Sequence, residues 1–304
     1  MTTYTDAQKV GFLNGMNAAA QRFGLGTALS GAGVGSIIDV SPDGSDTLGN
    51  GAPLSPVASL TQAMTLVTSA RKIIRMAPGE YVEAAAVAWP TIKEVLVIGA
   101  GAGSTVISAT GTSVITVTPG VQTGTWTGYL RNLTVDHSAG SSQSGITFNN
   151  TAMTKKLLFS INDCEFSADD GLDKSINVAT HTDADNAIRI YVTGTGNQVE
   201  IGGQIYFNVN NLADRLHCEN VWLVGGDGAS NGAIATPNVA KEFRLRLFRC
   251  IVPYHSGVSG GNSTQVVTSV NSYNWVDYND ITPEVFAKLD TADLIGSLSE
   301  VIVD

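Results

Sequence analysis

Residues 72–83 read KIIRMAPGEYVE, a strand that runs into a turn. Lys72-Ile73-Ile74-Arg75-Met76 is short and apolar, and Ala77-Pro78-Gly79-Glu80-Tyr81 carries the proline–glycine punctuation of a chain reversal. The segment before it reads as an amphipathic helix. Ser55 is its expected cap and Pro56 its first residue, with Val57, Leu60, Met64 and Val67 as the apolar stripe. Earlier still come a turn-rich loop, SPDGSDTLGNG (41–51), and a strand, Ser36-Ile37-Ile38-Asp39-Val40.

This order of strand, Asp/Gly loop, amphipathic helix and KIIRMAPGEYVE resembles the opening of right-handed parallel β-helix proteins of the pectate-lyase-like superfamily. The resemblance covers about residues 36–108. It implies a helix laid over the open N-terminal end of the coil and an early rung that ends at Ala77–Tyr81. That superfamily contains lyases, hydrolases and inert virion parts, so the resemblance speaks for a fold and not for an activity.

The rest of the chain repeats. Short apolar strands follow an Asn, Asp or Arg at Leu133-Thr134-Val135, Cys164-Glu165-Phe166, Val221-Trp222-Leu223 and Cys250-Ile251-Val252, and another runs from Ala187 to Val192. Taking Leu133, Cys164, Ile190, Val221 and Cys250 as equivalent, the strands recur every 26 to 31 residues, the period of a solenoid. Strands at Ile74, Leu96 and Tyr273 extend the series. Each rung hides its inward side chains only against the rungs above and below. Alternation places Leu133 with Val135, Cys164 with Phe166, and Phe243 with Leu245 and Leu247 on inward faces. Arg244 and Arg246 then point outward, toward the chain's own carboxylates.

Composition agrees. Hydrophobic residues make up 43% of the 304, enough for a long core, and charged residues 14%, against about 25% in a typical domain. The 33 glycines suit many tight turns. A net charge of −10 repels phosphates and anionic lipid, which argues against nucleic-acid and membrane-surface partners. No apolar run approaches the ~20 residues of a membrane span. Cys164, Cys218 and Cys250 are odd in number and widely spaced, so reduced, buried thiols and folding in a cytoplasm are expected. The first residues, MTTYTD, have neither the basic nor the apolar region of a secretory signal.

Three segments are expected. Residues 1–35 form an N-terminal docking or capping segment, 36–280 the all-β solenoid, and 281–304 a C-terminal capping or oligomer-contact segment. Thr5-Asp6-Ala7-Gln8 fits a capping box, and Phe12, Met16, Ala19 and Phe23 recur at helical spacing up to Gly24. That helix reads either as a lid on the first rung or as a docking element that uses Phe12, Met16 and Phe23. Thr282-Pro283-Glu284 starts a second terminal helix, which covers the other end of the coil or swaps onto a neighbouring subunit.

Polysaccharide hydrolases need carboxylates placed for acid and base work. Asp169 and Asp170, with Asp173 nearby, are the best cluster. They resemble the paired aspartates of polygalacturonase-like hydrolases, but that family's Gly-His-Gly and Arg-x-Lys motifs are absent. Solvated turn aspartates explain the same residues. A second cluster, Asp183 and Asp185 after His181, reads the same way. Asp43, Asp46 and Asn50 offer oxygen ligands for Ca²⁺, although they lack the ordered spacing of an EF-hand and fit an Asp/Gly turn equally well. His137, His181, His217 and His255 are too scattered for a metal centre. Gly99-Ala100-Gly101-Ala102-Gly103 lacks the Lys-Ser/Thr ending of a phosphate loop. Trp222, Trp275 and Tyr278 suit stacking on sugar rings, or a core or interface.

No cofactor is expected. The expected function is a non-catalytic bacteriophage virion protein, a capsid decoration or head-spike component. Related phage proteins imply a homotrimer attached to a major capsid or other virion protein, folded in the host bacterial cytoplasm and displayed on the virion surface. The alternative is a β-helix protein that degrades or binds surface glycans.

Overall fold

The computed structural model describes residues 36–138, 143–150, 155–168, 173–181, 187–195, 199–207, 214–225, 234–236, 243–250, 267–269 and 274–279. Strands alternate inward and outward side chains, and here the inward ones of successive rungs stack. Ile38, Ile74, Val97, Leu130, Ile161, Val192, Cys218 and Leu247 form one ladder, each paired with the next and all buried. Tyr278 continues it by register. Burying each such aliphatic side chain contributes about 1.5–3 kcal/mol, so a rung is held only where a neighbour covers it.

Every ladder is parallel, and the strands fall into three sheets of nine, six and seven. Nearly all the strands visit the sheets in turn, in the order nine, six, seven. The chain is therefore a three-sided parallel β-helix, as the opening motif and the repeat imply. The described strands run from Ile37 to Asn279. The expected terminal segments, 1–35 and 281–304, lie outside the described residues, and the docking residues Phe12, Met16 and Phe23 lie outside with them.

The corner between the nine- and six-stranded sheets is built the same way in several rungs. Asn132, Asp163, Asn220 and Arg249 all take left-handed backbone, with φ between 51° and 54°. Asn and Asp tolerate that region better than other non-glycine residues. The next residue, Leu133, Cys164, Val221 or Cys250, turns inward and is buried. Side chains tie the corners together: Asn220 Nδ2 donates to the Gly194 carbonyl (3.1 Å), and Asp163 accepts from Thr195 N–H and Oγ1. Gly99 occupies this corner one rung earlier, where a Cβ would stand 2.3 Å from the Asn132 carbonyl, so no larger residue fits.

Four sequence expectations need correction. Ile190 is not equivalent to Cys164 and Val221. It lies in the nine-stranded sheet, paired with Phe159 and Leu216, and the position equivalent to Val221 is Val199. The strand placed at Tyr273 is Asn274–Asn279, and Ile74 pairs with Val97 rather than Leu96. The helix starts late, at Leu60 with Ser59 as its cap. Ser55 and Pro56 precede it in extended chain, because Val57 pairs with Val40 instead. Its buried face, Leu60, Ala63 and Met64, packs on the first strand of each sheet, Ile37–Val40, Gly79–Glu83 and Val87–Trp89. The helix thus lies across the end of the coil, as the resemblance implies.

Candidate functional site

Catalysis by a carboxylate requires an accessible oxygen, so the first question is what each acidic side chain touches. Asp173 is fully buried. Its Oδ1 accepts the Gln143 N–H at 2.8 Å and its carbonyl accepts the Gln204 N–H at 2.9 Å. Gln143 in turn donates Nε2 to the Ala109 and Gly111 carbonyls at 2.8 Å each. Gln143, Asp173 and Gly203 immediately precede strand residues that pair with one another, Ser144, Lys174 and Gln204. They form a polar seam at the corner between the six- and seven-stranded sheets. Asp169 and Asp170 lie outside the described residues.

His137 belongs to the same corner and is fully buried. Its ring stands edge-on to Phe166, 6.3 Å between centroids. Neither ring nitrogen has a hydrogen-bond partner among the described residues. Burial holds the imidazole below its ordinary pKa, against the opposing pull of Asp173. A neutral, enclosed histidine beside an enclosed aspartate is a packing unit that no substrate reaches.

Of the other buried carboxylates, Asp39 pairs with Arg75 at 2.7 Å, and two serve the backbone. Glu83 accepts from the Leu60 N–H (2.7 Å) and the Thr61 N–H (3.3 Å), two of the unpaired donors at the start of the helix. Asp214 Oδ1 accepts the Ile188 N–H at 2.8 Å. In the loop read as a Ca²⁺ candidate, Asp46 Oδ1 accepts from the Ala58 and Ser59 N–H groups at 2.7 and 3.0 Å. Asn50 Oδ1 accepts the Ala52 N–H, and Asp43 gives its backbone N–H to Ser41 Oγ. These are turn and cap contacts, and those of Asp46 and Asn50 each engage a side-chain oxygen that a cation would need. Among the described residues no group of three or more His, Cys, Asp and Glu side chains is placed to hold a metal ion. Glu83, Gln143 and Asp214 escaped sequence reading, because single polar residues behind a strand give no signal until the register is known.

The three cysteines are buried and unpaired in disulfides. Burial pushes the Cys164 thiol up to about 12, the Cys250 thiol to about 11 and the Cys218 thiol well above its usual value. Thiolate is the nucleophile, so none is poised for attack. Gly99–Gly103 is the turn between Val95–Ile98 and Thr105–Ala109. Trp222 is exposed on the six-stranded sheet, whereas the side chains of Trp275, Tyr278 and His181 and all of His255 lie outside the described residues.

One accessible row has a binding character. On the outer face of the seven-stranded sheet, Thr116, Thr147, Asn177 and Tyr206 stack in register. Thr147 Oγ1 shares a 2.7 Å hydrogen bond with Ser113 Oγ, and Asn177 Nδ2 donates to Ser144 Oγ. Lys174 Nζ stands 3.9 Å above the Tyr206 ring, and burial lowers its pKa. The row offers hydroxyls, an amide and a ring. The described strands of this sheet contain no Asp or Glu.

The chain was compared with known families, curated proteins and solved structures. A family model described as a protein of unknown function, DUF1565, matches residues 43–225. Among solved structures, a pectin methylesterase from carrot is similar with a TM-score of 0.42 and 12% identity, over 86% of this chain and 88% of that one. No curated protein matches.

Proposed function

The chain belongs to the DUF1565 family, whose description assigns no function, and on that premise we propose that it is a non-catalytic structural protein of a bacteriophage particle. It decorates the capsid or forms part of a head spike, as a homotrimer attached to a major capsid or other virion protein. One observation carries the reading: the buried carboxylates Glu83, Asp173 and Asp214 each hold a backbone N–H and Asp39 holds Arg75, which supports a structural role for the buried acids among the described residues. The test is to purify particles and look for this chain by mass spectrometry. Decoration that survives Asp169→Asn/Asp170→Asn and fails on deletion of residues 1–24 is the expected result. Absence of the chain from particles refutes the reading.

The outer row from Thr116 to Tyr206 favours a second reading, a β-helix that binds surface glycans. Incubation with surface polysaccharides separates the possibilities. Retention without new reducing or unsaturated ends marks a binder. New ends lost in the Asp169/Asp170 double variant mark an enzyme.

A further inference from the structure

The three faces of the coil differ in charge. The strands of the nine-stranded sheet carry six arginines, Arg75, Arg131, Arg189, Arg215, Arg244 and Arg246, against Asp39, Glu219 and Asp277. The described strands of the six-stranded sheet carry no Lys or Arg at all, but Glu80, Asp136, Glu165 and Glu200, besides the buried Glu83. In a chain of net charge −10, every Lys and Arg of the described strands except Lys174 lies in the nine-stranded sheet.

Register sharpens the contrast. Arg189 pairs with Arg215 and Arg215 with Arg244, a stack of three guanidinium-bearing positions at the ~4.8 Å spacing of adjacent strands. Arg246 stands beside it in the next outward row, after His217. On the other face Glu165 and Glu200 precede the paired Phe166 and Ile201, and Glu200 pairs with Trp222. Trp222 is 40% exposed, the kind of aromatic that anchors interfaces. Like charges opposed across a strand pair weaken a sheet, so acidic groups brought over this row favour it. Arg189, Arg215 and Arg246 also interact within the chain, and a guanidinium with five N–H donors can serve a second partner.

We infer that the arginine face of one copy docks on the glutamate face of a second copy. The two faces meet at the corner of Asn132, Asp163, Asn220 and Arg249, so each copy is a charged wedge. Contact between unlike faces is heterologous and generates a ring when the rotation closes. With the coils parallel, Arg189 of one copy meets Glu200 of the next, since both belong to one rung, and Arg215 meets the rung of Trp222. The partner is another copy because both the arginine-bearing and the glutamate-bearing face are on this chain, their charged positions on the same or adjoining rungs.

This rests on the particle reading only for the expectation of self-association, and it is tested on soluble protein alone. The wild type, Arg189→Glu/Arg215→Glu, Glu165→Arg/Glu200→Arg and the chain with all four changes are compared by sedimentation. Each has its fold checked by circular dichroism. The wild type is expected to associate at low salt and dissociate in 1 M salt (about 1 M, where the screening length is about 3 Å). Each pair of reversals alone is expected to weaken association at least about tenfold, and the fourfold chain to regain it. Should a reversal fail to fold, Arg189→Gln/Arg215→Gln is expected to weaken association in the same direction. A wild type that stays monomeric, association indifferent to either pair, or a fourfold chain that fails to regain it overturns the docking. None of these results bears on whether the chain is found in particles.

Discussion

Gly128 and Phe159 make a sharp test of how the core is packed. Gly128 is an inward strand position paired with Val95 and Phe159. A Cβ there would lie 2.7 and 2.8 Å from the Phe159 ring and 2.9 Å from the Trp126 ring. Phe159 is fully buried and makes edge contacts with Trp89 (5.0 Å) and Phe148 (5.1 Å), besides stacking with Trp126 (6.3 Å). Ala is favoured over Gly in a strand by about 0.5–1 kcal/mol, but overfilling a packed core costs about 1–3 kcal/mol. Rings fixed on several sides cannot step back, so the clash wins and Gly128→Ala is expected to destabilise. Phe159→Ala alone is expected to cost about 3–5 kcal/mol. With the ring gone, the methyl at 128 has space, and the double variant is expected to be more stable than the sum of the two by about 1–3 kcal/mol. Urea unfolding followed by tryptophan fluorescence reads all four corners of the cycle, since Trp89 and Trp126 border the site. Additivity within about 0.5 kcal/mol, or a stabilising Gly128→Ala, refutes the packing argument.

Glu83→Ala leaves the Leu60 and Thr61 N–H groups without their acceptor. It is expected to cost about 1–3 kcal/mol and to speed hydrogen exchange at those two amides more than in the distant strand Leu157–Asn162. His137 is held neutral by burial, so its folded pKa lies below its unfolded value of about 6.5. The unfolded chain then takes up the extra proton, and stability present above about pH 6.5 is lost as pH falls through and below it; urea midpoints from pH 8 to 5 should show that fall in the wild type and a smaller one in His137→Gln. The thiols of Cys164, Cys218 and Cys250, raised by burial, should stay unlabelled by a thiol reagent at pH 8 until denaturant is added, and fast labelling of the native chain contradicts their placement.

The fold was legible because solenoid rungs repeat a local message. Alternation marked Leu133, Val135, Cys164 and Phe166 as inward, and all four are buried. The phase of the rungs was less legible, since strands of all three sheets alternate alike. Ile190 alternates as well as any neighbour, yet no left-handed Asn or Asp stands before it as one stands before Leu133, Cys164 and Val221. That residue type was the usable signal. The start of the helix was misread at Ser55 and Pro56 because local propensity was outweighed by the pairing of Val57 with Val40. Of the candidate site, only Asp173 among the three clustered aspartates falls within the described residues, and its burial comes from stacking against Gln143, which no local pattern announces. The charged faces were hidden for the same reason: Arg189, Arg215 and Arg244 become neighbours only once register brings distant residues side by side.

The corner at Asn132, Asp163, Asn220 and Arg249 has a consequence for how the chain can change length. At three of these positions the same bond fixes the residue against the next rung: Asn132 N–H to the Asn162 carbonyl, Asp163 N–H to Thr193, Asn220 N–H to Phe248. In these rungs, whatever excursion is made elsewhere, the corner returns the strand to the same phase before the next coil begins. An error in one rung is therefore reset and not passed on, so insertions at the other two corners can accumulate while the stack stays in step.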